Sequence, residues 1–177
     1  GGKDGSTVAW QLKHHYRMNP LCITFKPQLQ TYLGRQNLEN FTASGFDHIL
    51  ITPEPEKYRQ YAKDYFIKRG MPKQPFVTGI STALFQMAIK LGIFFIMYGE
   101  EGEAEYGGAT DAREKIDREY LLNYYYEGQD PTEYGPHWKM PSQSDLDKLY
   151  PTHWSKFHDW DPQENARLAK EKCGLQM

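Results

Sequence analysis

The sequence predicts an α/β protein with a doubly wound, mainly parallel sheet that carries helices on both faces. Three apolar runs are typical of buried strands, at residues 21–25, 48–52 and 93–98, and amphipathic helical patterns lie between them. Strands that alternate with helices form parallel sheets, because each helix returns the chain to the same sheet edge. We expect the three strands to be neighbours in one sheet, with right-handed crossovers.

The helices of this core, residues 1–110, follow from apolar side chains that recur every three or four positions. The pattern predicts helices over residues 6–16, 33–44, 56–69 and 80–91. The glycines after the second and fourth helices are typical of helix C-termini, since they adopt positive φ at little cost. Between the third and fourth helices, the Gly- and Pro-containing stretch predicts a loop.

Residues 111–177 are predicted to form a helical, aromatic-rich extension that packs on the core. One helix is expected over residues 111–127, a short one from Ser144 to Tyr150, and a last one that begins at Asp161-Pro162. An aromatic cluster lies before the last helix and favours packing or sugar stacking over metal binding. Its members are His153, Trp154, Phe157, His158 and Trp160.

Composition and length limit the classes of function. With 177 residues the chain is long enough to bury a real core, and a net charge of −2 gives no overall basic field for nucleic acid. No apolar run is long enough to span a bilayer. The two cysteines, Cys22 and Cys173, form no C-x-x-C pair and indicate a reducing compartment. We therefore expect a cytoplasmic protein without nucleic-acid or membrane partners.

The first seven residues, Gly1 to Thr7, form what we term the N-terminal segment, and their chemistry suits phosphate. The glycine pair lets backbone amides approach an anion closely, and the predicted helix that follows directs its dipole toward that anion. Lys3 adds a flexible positive charge, and Asp4 can cap the helix or help to hold a metal. The alternative is an ordinary turn before a helix. No strand precedes the segment, so we expect the chain to begin inside a longer protein.

A second polar stretch, the acidic loop from Tyr98 to Gly108, follows the most apolar predicted strand. Ligands of open α/β sheets bind beyond the carboxyl ends of strands, so this loop and the N-terminal segment are expected to share one sheet edge. Its four glutamates repel one another unless cations lie nearby, and Mg²⁺ bound to ATP supplies such a cation. The alternative is a solvated acidic loop.

Together these stretches resemble a known enzyme family. G-G-K-D-G-S-T is similar to the S-G-G-x-D-[ST] PP-loop of ATP pyrophosphatases, and M-Y-G-E-E-G-E-A-E-Y-G-G and W-x-P-x-E-N resemble segments of N-acetyl sugar amidotransferases of bacterial surface-polysaccharide synthesis. The resemblance runs from Gly1 to about Gly108 and continues more loosely to the end. It departs from the family in three respects. The leading Ser is absent, Gly5 occupies the usual Ser/Thr position, and the family's cysteine-rich N-terminal segment is not in this chain.

The resemblance implies an ATP- and Mg²⁺-dependent amidotransferase that acts on a nucleotide-activated acetamido sugar. Transfer of AMP to the acetamido oxygen would release pyrophosphate, and ammonia would then displace AMP to give an acetamidino sugar for O-antigen in lipopolysaccharide. It also implies that a separate glutaminase with a cyclase-like partner supplies the ammonia. The chain shows no glutaminase Cys–His signature of its own.

Residue chemistry and the resemblance together predict the site. ATP binding is assigned to Gly1, Gly2, Lys3, Asp4, Gly5, Ser6, Thr7, Thr24, Phe25 and Gly99. The predicted catalytic residues are Asp4, Glu101 and Glu103, and the predicted Mg²⁺ ligands are Asp4 and Glu103. Substrate binding is assigned to Glu100, Glu105, Tyr106 and Arg113, although surface charge alone would also explain Arg113.

Two other functions are compatible with the sequence. One is a different PP-loop enzyme that thiolates tRNA or forms amides, although thiolation usually requires further reactive cysteines and a basic RNA surface, and neither is present. The other is a non-catalytic module that binds adenine nucleotides. Release of pyrophosphate distinguishes an enzyme from such a module.

Overall fold

The computed structural model describes residues 2–100, 116–126 and 131–177, with the side chains of Tyr124 and Tyr125 left out. In this part of the chain the α-helices are α1 (Lys3–His14), α2 (Tyr32–Ala43), α3 (Pro55–Arg69), α4 (Gln74–Leu91), α5 (Arg118–Tyr126), α6 (Gln143–Leu146) and α7 (Pro162–Cys173). The strands are β1 (Leu21–Phe25), β2 (Asp47–Ile51), β3 (Phe95–Tyr98) and β4 (Tyr150–His153). Short 3-10 helices cover Pro131–Tyr134, Pro136–Trp138 and Trp154–Lys156.

The strands of the described residues form two separate two-stranded parallel sheets. β1 pairs with β2 along its whole length, with Ile23 opposite Ile49, and β3 pairs with β4, with Ile96 opposite Pro151. The predicted doubly wound, mainly parallel sheet is therefore wrong, since the structure is 58% helical and its strands do not form one sheet. Of the three predicted strands, only the first two are hydrogen-bonded neighbours.

β4 explains why the sheet prediction failed. Its sequence, Tyr150-Pro151-Thr152-His153, has no apolar alternation, and Pro151 cannot donate a ladder hydrogen bond, which confines proline to sheet edges. The strand depends on its neighbour instead, and it begins where the amide of Tyr150 donates to the carbonyl of Phe94 at 2.9 Å. An apolar run predicts that a strand exists, whereas its pairing partner depends on tertiary contacts that such a run does not encode.

Most predicted helices and strands are present, but several helix bounds differ. The helix expected over residues 111–127 begins at Arg118 in the described residues, and the one expected from Ser144 to Tyr150 is shorter, at Gln143–Leu146. α1 was expected from residue 6 and begins at Lys3, with Gly2 as an extended N-cap. The N-terminal segment is therefore mostly the first turn of a helix and not a loop. α4 was expected from residue 80 and begins at Gln74, because Pro75 is well suited to a first helical turn. None of the described helices has the length and apolar character needed to cross a membrane.

α4 connects the two sheets through the core. Phe85 and Ala88 pack with Ile96 of β3, while Ala83 packs in a second cluster with Phe25 of β1. Close approach at Gly79 allows this second contact, because a Cβ at that position would lie 2.4 Å from the Phe25 ring. α4, the most apolar of the described helices, therefore packs against both sheets through different side chains.

α1 packs chiefly against α7, with a different set of partners on each side. Val8 and Leu12 lie in a buried cluster with Trp154, and Met97 of β3 packs against that cluster. Ala9 belongs to another cluster that contains Cys173 of α7. α1 is therefore held between β3 and α7, and this position fixes the surroundings of its amino end.

Candidate functional site

Within the described residues, the amino end of α1 presents backbone donors without hydrogen-bond acceptors. Gly2 is the N-cap, with φ −84° and ψ 171°, and no described side chain caps this end of the helix. The amides of residues 3–5 have no acceptor among the described residues, and the first helical bond runs from Ser6 to the Gly2 carbonyl at 3.1 Å. Free amides and the positive end of the helix dipole together suit an anion such as phosphate. Gly1 lies outside the described residues.

The carboxylate of Asp4 is held in this first turn by two neighbours. Lys3 Nζ lies 2.7 Å from Oδ1 and 2.6 Å from Oδ2 of Asp4, and the Asn165 side-chain amide donates to Oδ1 at 3.1 Å. The side chain of Asp4 is 17% exposed, so the carboxylate is accessible from one side only. Its orientation is thus set by α1 and α7 together.

Asn165 is a site residue that sequence reasoning did not assign. It is buried one turn into α7, and its backbone carbonyl accepts a hydrogen bond of 2.8 Å from the Thr7 hydroxyl. The start of α7 fixes its position, because Asp161 Oδ1 accepts hydrogen bonds from the amides of Gln163 and Glu164. The signal that could have found it was the W-x-P-x-E-N segment, which ends on this residue.

The hydroxyls of Ser6 and Thr7 were expected to face phosphate, and the structure places both residues inside. Ser6 is 1% exposed and Thr7 is 3% exposed. The Thr7 hydroxyl donates to the Asn165 carbonyl, and this hydrogen bond connects α1 with α7.

The carboxyl end of β3 touches the first turn of α1 through two glycines. A Cβ at Gly99 would lie 2.6 Å from Gly5 Cα and 3.2 Å from Gly5 N, which no side chain tolerates. The reverse substitution is permitted, since a Cβ at Gly5 would meet only the Gly99 carbonyl oxygen at 4.0 Å. The acidic loop therefore starts in backbone contact with the N-terminal segment.

His153 of β4 contacts the backbone of Glu100, which follows Gly99 in the acidic loop. The Nδ1 of His153 lies 2.9 Å from the carbonyl oxygen of Glu100, and since a carbonyl can only accept, Nδ1 carries the hydrogen. The His153 ring stacks on Tyr98 with centroids 4.9 Å apart. β3 and β4 thus fix the backbone at the point where the acidic loop leaves the sheet.

The remaining predicted residues of the acidic loop and its surroundings lie outside the described residues. These are Glu101, Glu103, Glu105, Tyr106 and Arg113. Their assignments as catalytic, metal-binding or substrate-binding residues stay predictions. Among the residues that the structure describes, no group of three or more His, Cys, Asp or Glu side chains could hold a metal ion.

Thr24 and Phe25, assigned to ATP binding, lie at the carboxyl end of β1 in different environments. Phe25 is 4% exposed and its ring packs against Gly79 and Trp138, so it is a core side chain. Thr24 is half-buried, and its hydroxyl lies 2.9 Å from His48 Nε2. Burial lowers the pKa of His48, which favours the neutral imidazole.

A groove of about 390 Å³ runs between α1 and α7 and ends beside the site. Its lining combines amide, carboxylate and aromatic side chains, including Gln11, Trp154, His158 and Asp159. Asn165 also lines this groove while it contacts Asp4, so the groove and the amino end of α1 share one residue.

Comparison with known proteins adds no family assignment. No protein-family model matches the chain, and no curated protein matches it significantly. Its function is therefore argued from the residues that meet at the amino end of α1.

Proposed function

We propose that this protein is an ATP-dependent N-acetyl sugar amidotransferase, an ATP pyrophosphatase that forms AMP. The acetamido oxygen of a nucleotide-activated sugar attacks the α-phosphorus of ATP, and pyrophosphate leaves. Ammonia then adds to the activated carbon, and AMP leaves with the original oxygen to give an acetamidino group. The product would serve O-antigen synthesis in the cytoplasm, with ammonia from a glutaminase and its cyclase-like partner.

The observation that carries this function is the contact between Gly5 and Gly99. The first turn of α1 and the start of the acidic loop are two of the stretches that resemble the amidotransferases, and their backbones touch. The third such stretch ends at Asn165, whose side chain contacts Asp4. Three stretches that are distant in sequence thus meet at one helix end, as a shared site requires.

The chemistry of the amino end of α1 fits ATP with its metal. The first-turn amides suit phosphate oxygens, and Lys3 supplies a positive charge that is only partly exposed. Mg²⁺ is usually held by one or two carboxylates together with substrate phosphates, which is a role that Asp4 fits. Bound Mg²⁺ would neutralise phosphate charge, and Asn165 would keep the Asp4 carboxylate oriented.

This function does not depend on a doubly wound sheet. What it requires is a helix amino end for phosphate, an oriented carboxylate and a second loop close by for the sugar. β3 and α7 fix the first two through Gly99 and Asn165, although β3 belongs to a separate two-stranded sheet.

The test is incubation with ATP, Mg²⁺, ammonium and a panel of nucleotide-activated acetamido sugars. The expected result is sugar-dependent pyrophosphate release together with a product whose mass decreases as O is replaced by NH. Pyrophosphate released only with tRNA, or only with a carboxylate acceptor, would favour another PP-loop enzyme. A folded protein that binds ATP and releases no pyrophosphate with any acceptor would be a nucleotide-binding module.

A further inference from the structure

The groove between α1 and α7 contains polar groups that are free to bind a ligand. Gln11 is half-buried in it, and within the described residues its side-chain amide makes no hydrogen bond. Asp159 is exposed at the groove and forms no ion pair or hydrogen bond with any described residue. An amide and a carboxylate with unused hydrogen-bonding capacity are the kind of groups that orient a ligand in a pocket.

The other carboxylates of the groove are already engaged. Asp161 accepts from backbone amides at the start of α7, and Glu164 forms a bidentate pair with Arg167 at 2.6 and 2.8 Å. The free charge of the groove is therefore mainly that of Asp159. One free carboxylate can accept hydrogen bonds from the hydroxyls of a ligand.

The half-buried His158 ring forms another side of the groove, and the buried Trp154 ring lies behind it. Trp154 and His158 stack with ring centroids 4.4 Å apart and an interplanar angle of 19°. The hydroxyl of Tyr16 is hydrogen-bonded to His158 Nε2, and the Tyr16 ring meets Trp154 edge-on at 5.9 Å. These contacts lock the ring positions, so this side of the groove is preorganised.

We infer that this groove binds the sugar ring of the substrate, an uncharged acetamido sugar. The apolar C–H faces of a sugar pack on aromatic rings, and its hydroxyls donate to carboxylates and exchange hydrogen bonds with amides. A volume of about 390 Å³ lies in the usual range of small-molecule sites. The inference rests on the proposed function only in that the bound sugar is the one whose acetamido group reacts.

The position of Asn165 shows which end of the groove faces the candidate site. Asn165 lines the groove and donates to Asp4, so one end lies beside the amino end of α1, where phosphate is proposed to bind. Asp159 and Gln11 line the groove and can bond to the sugar hydroxyls. A nucleotide-activated sugar would thus place its ring in the groove and its reacting acetamido group toward Asp4.

The test is saturation-transfer NMR on the 177-residue chain with UDP-N-acetylglucosamine, UDP-N-acetylgalactosamine and UDP alone. We expect saturation of sugar-ring protons for at least one of the two sugars, and binding at least tenfold weaker in a Gln11→Ala, Asp159→Asn double variant. The matched control is a Gln163→Ala, Asp47→Asn double variant, whose exposed side chains do not line the groove. It should bind like the original protein.

Several outcomes would overturn the inference. One is the absence of saturation of the sugar protons with both nucleotide sugars, or saturation of the uridine protons alone. Another is unchanged sugar binding by the groove double variant, provided that its melting temperature equals that of the original protein.

Pyrophosphate release separates this inference from the proposed function. If the groove variant turns over with an unchanged KM for the sugar, the groove inference fails while the amidotransferase function stands. If sugar binding depends on the groove but the protein releases no pyrophosphate, the reaction is wrong and the sugar site stands.

Discussion

The α1–α7 interface and the α3–α4 region both bury polar atoms, but they satisfy them differently. Between α1 and α7, the Thr7 hydroxyl and the Asn165 amide bond to groups more than 150 residues away in sequence. In α4, the Thr78 hydroxyl donates to the Gln74 carbonyl one turn earlier in the same helix. A bond within one helix stabilises that helix, whereas bonds between distant segments fix how those segments lie relative to each other.

The α3–α4 region is otherwise held by aromatic packing. Tyr61 stacks on Tyr134 with centroids 4.5 Å apart, and Trp138 meets Phe25 and Tyr58 edge-on. The Trp138 indole N–H donates to the Pro75 carbonyl at 2.8 Å.

The Trp138 bond also joins distant segments, but it lies inside a packed aromatic cluster, whereas the bonds of Thr7 and Asn165 lie beside the first turn of α1. Substitutions in the aromatic region should therefore affect stability most, and those at Asn165 should affect the candidate site.

The largest expected effect on stability is in the aromatic region. Trp138 is 1% exposed, and Trp138→Ala should lower the free energy of unfolding by about 3–5 kcal/mol, from lost burial and the cavity that remains. Chemical denaturation measures this change. Trp138→Phe should lose less, which keeps the test informative if the alanine variant does not fold. A midpoint unchanged in both variants would contradict the assignment of this region to stability.

The glycine contact between β3 and α1 should be the next most sensitive position. Gly99→Ala forces a Cβ to within 2.6 Å of Gly5 Cα and should cost about 1–3 kcal/mol as the backbones move apart. Gly5→Ala is the matched control, because its Cβ has room and alanine favours a helix over glycine. Thermal unfolding should show a lower midpoint for the first variant only, and equal midpoints would break this part of the comparison.

Asn165 tests whether the α1–α7 interface positions a reacting group. Asn165→Ala removes the donor to Asp4 and should lower kcat/KM for pyrophosphate release by about 10–100-fold, as losses of such supporting partners typically do. Asn40→Ala is the control, since Asn40 also bonds to a distant segment, the Gly174 carbonyl at 2.7 Å, but lies away from Asp4. Equal losses of activity in the two variants would show that Asn165 acts through stability alone.

The smallest expected effect is a pH dependence that involves His48. Burial lowers the pKa of His48, so below its ordinary value of 6.5 the unfolded chain binds a proton that the folded chain resists. His48 should therefore reduce stability as the pH falls below about 6.5 and contribute no penalty above it. In the His48→Gln variant, the denaturation midpoint should change less with pH in this window. An unchanged dependence of the midpoint on pH would show that His48 does not cause this effect.

Local pattern was sufficient for much of the fold. β1, α2, β2, α3 and α7 follow the predicted bounds closely, because their periodicity, caps and flanking Gly or Pro residues agree. The partner of β3 was beyond such reasoning, since β4 is short, polar and contains Pro151. The sheet class was wrong for this reason.

The site was predictable only where its residues carry a motif. The contact of Gly5 with Gly99 agrees with the expectation that the N-terminal segment and the start of the acidic loop meet. Asn165 was not assigned to the candidate site although the W-x-P-x-E-N segment ends on it, because the sequence does not show that its side chain contacts Asp4. Phe25 was assigned to ATP binding through the resemblance, and its ring lies in the core.

The most direct measurement is pyrophosphate release by the original protein and by Asp4→Ala with ATP, Mg²⁺, ammonium and nucleotide-activated acetamido sugars. Asp4 is half-buried in the first turn of α1 and lies outside the apolar clusters, so the variant should keep its circular dichroism spectrum and melt close to the original protein. We expect sugar-dependent pyrophosphate release and the lighter sugar product from the original protein, and almost none from Asp4→Ala. A folded original protein without this release, or an Asp4→Ala variant with normal turnover, would contradict the account.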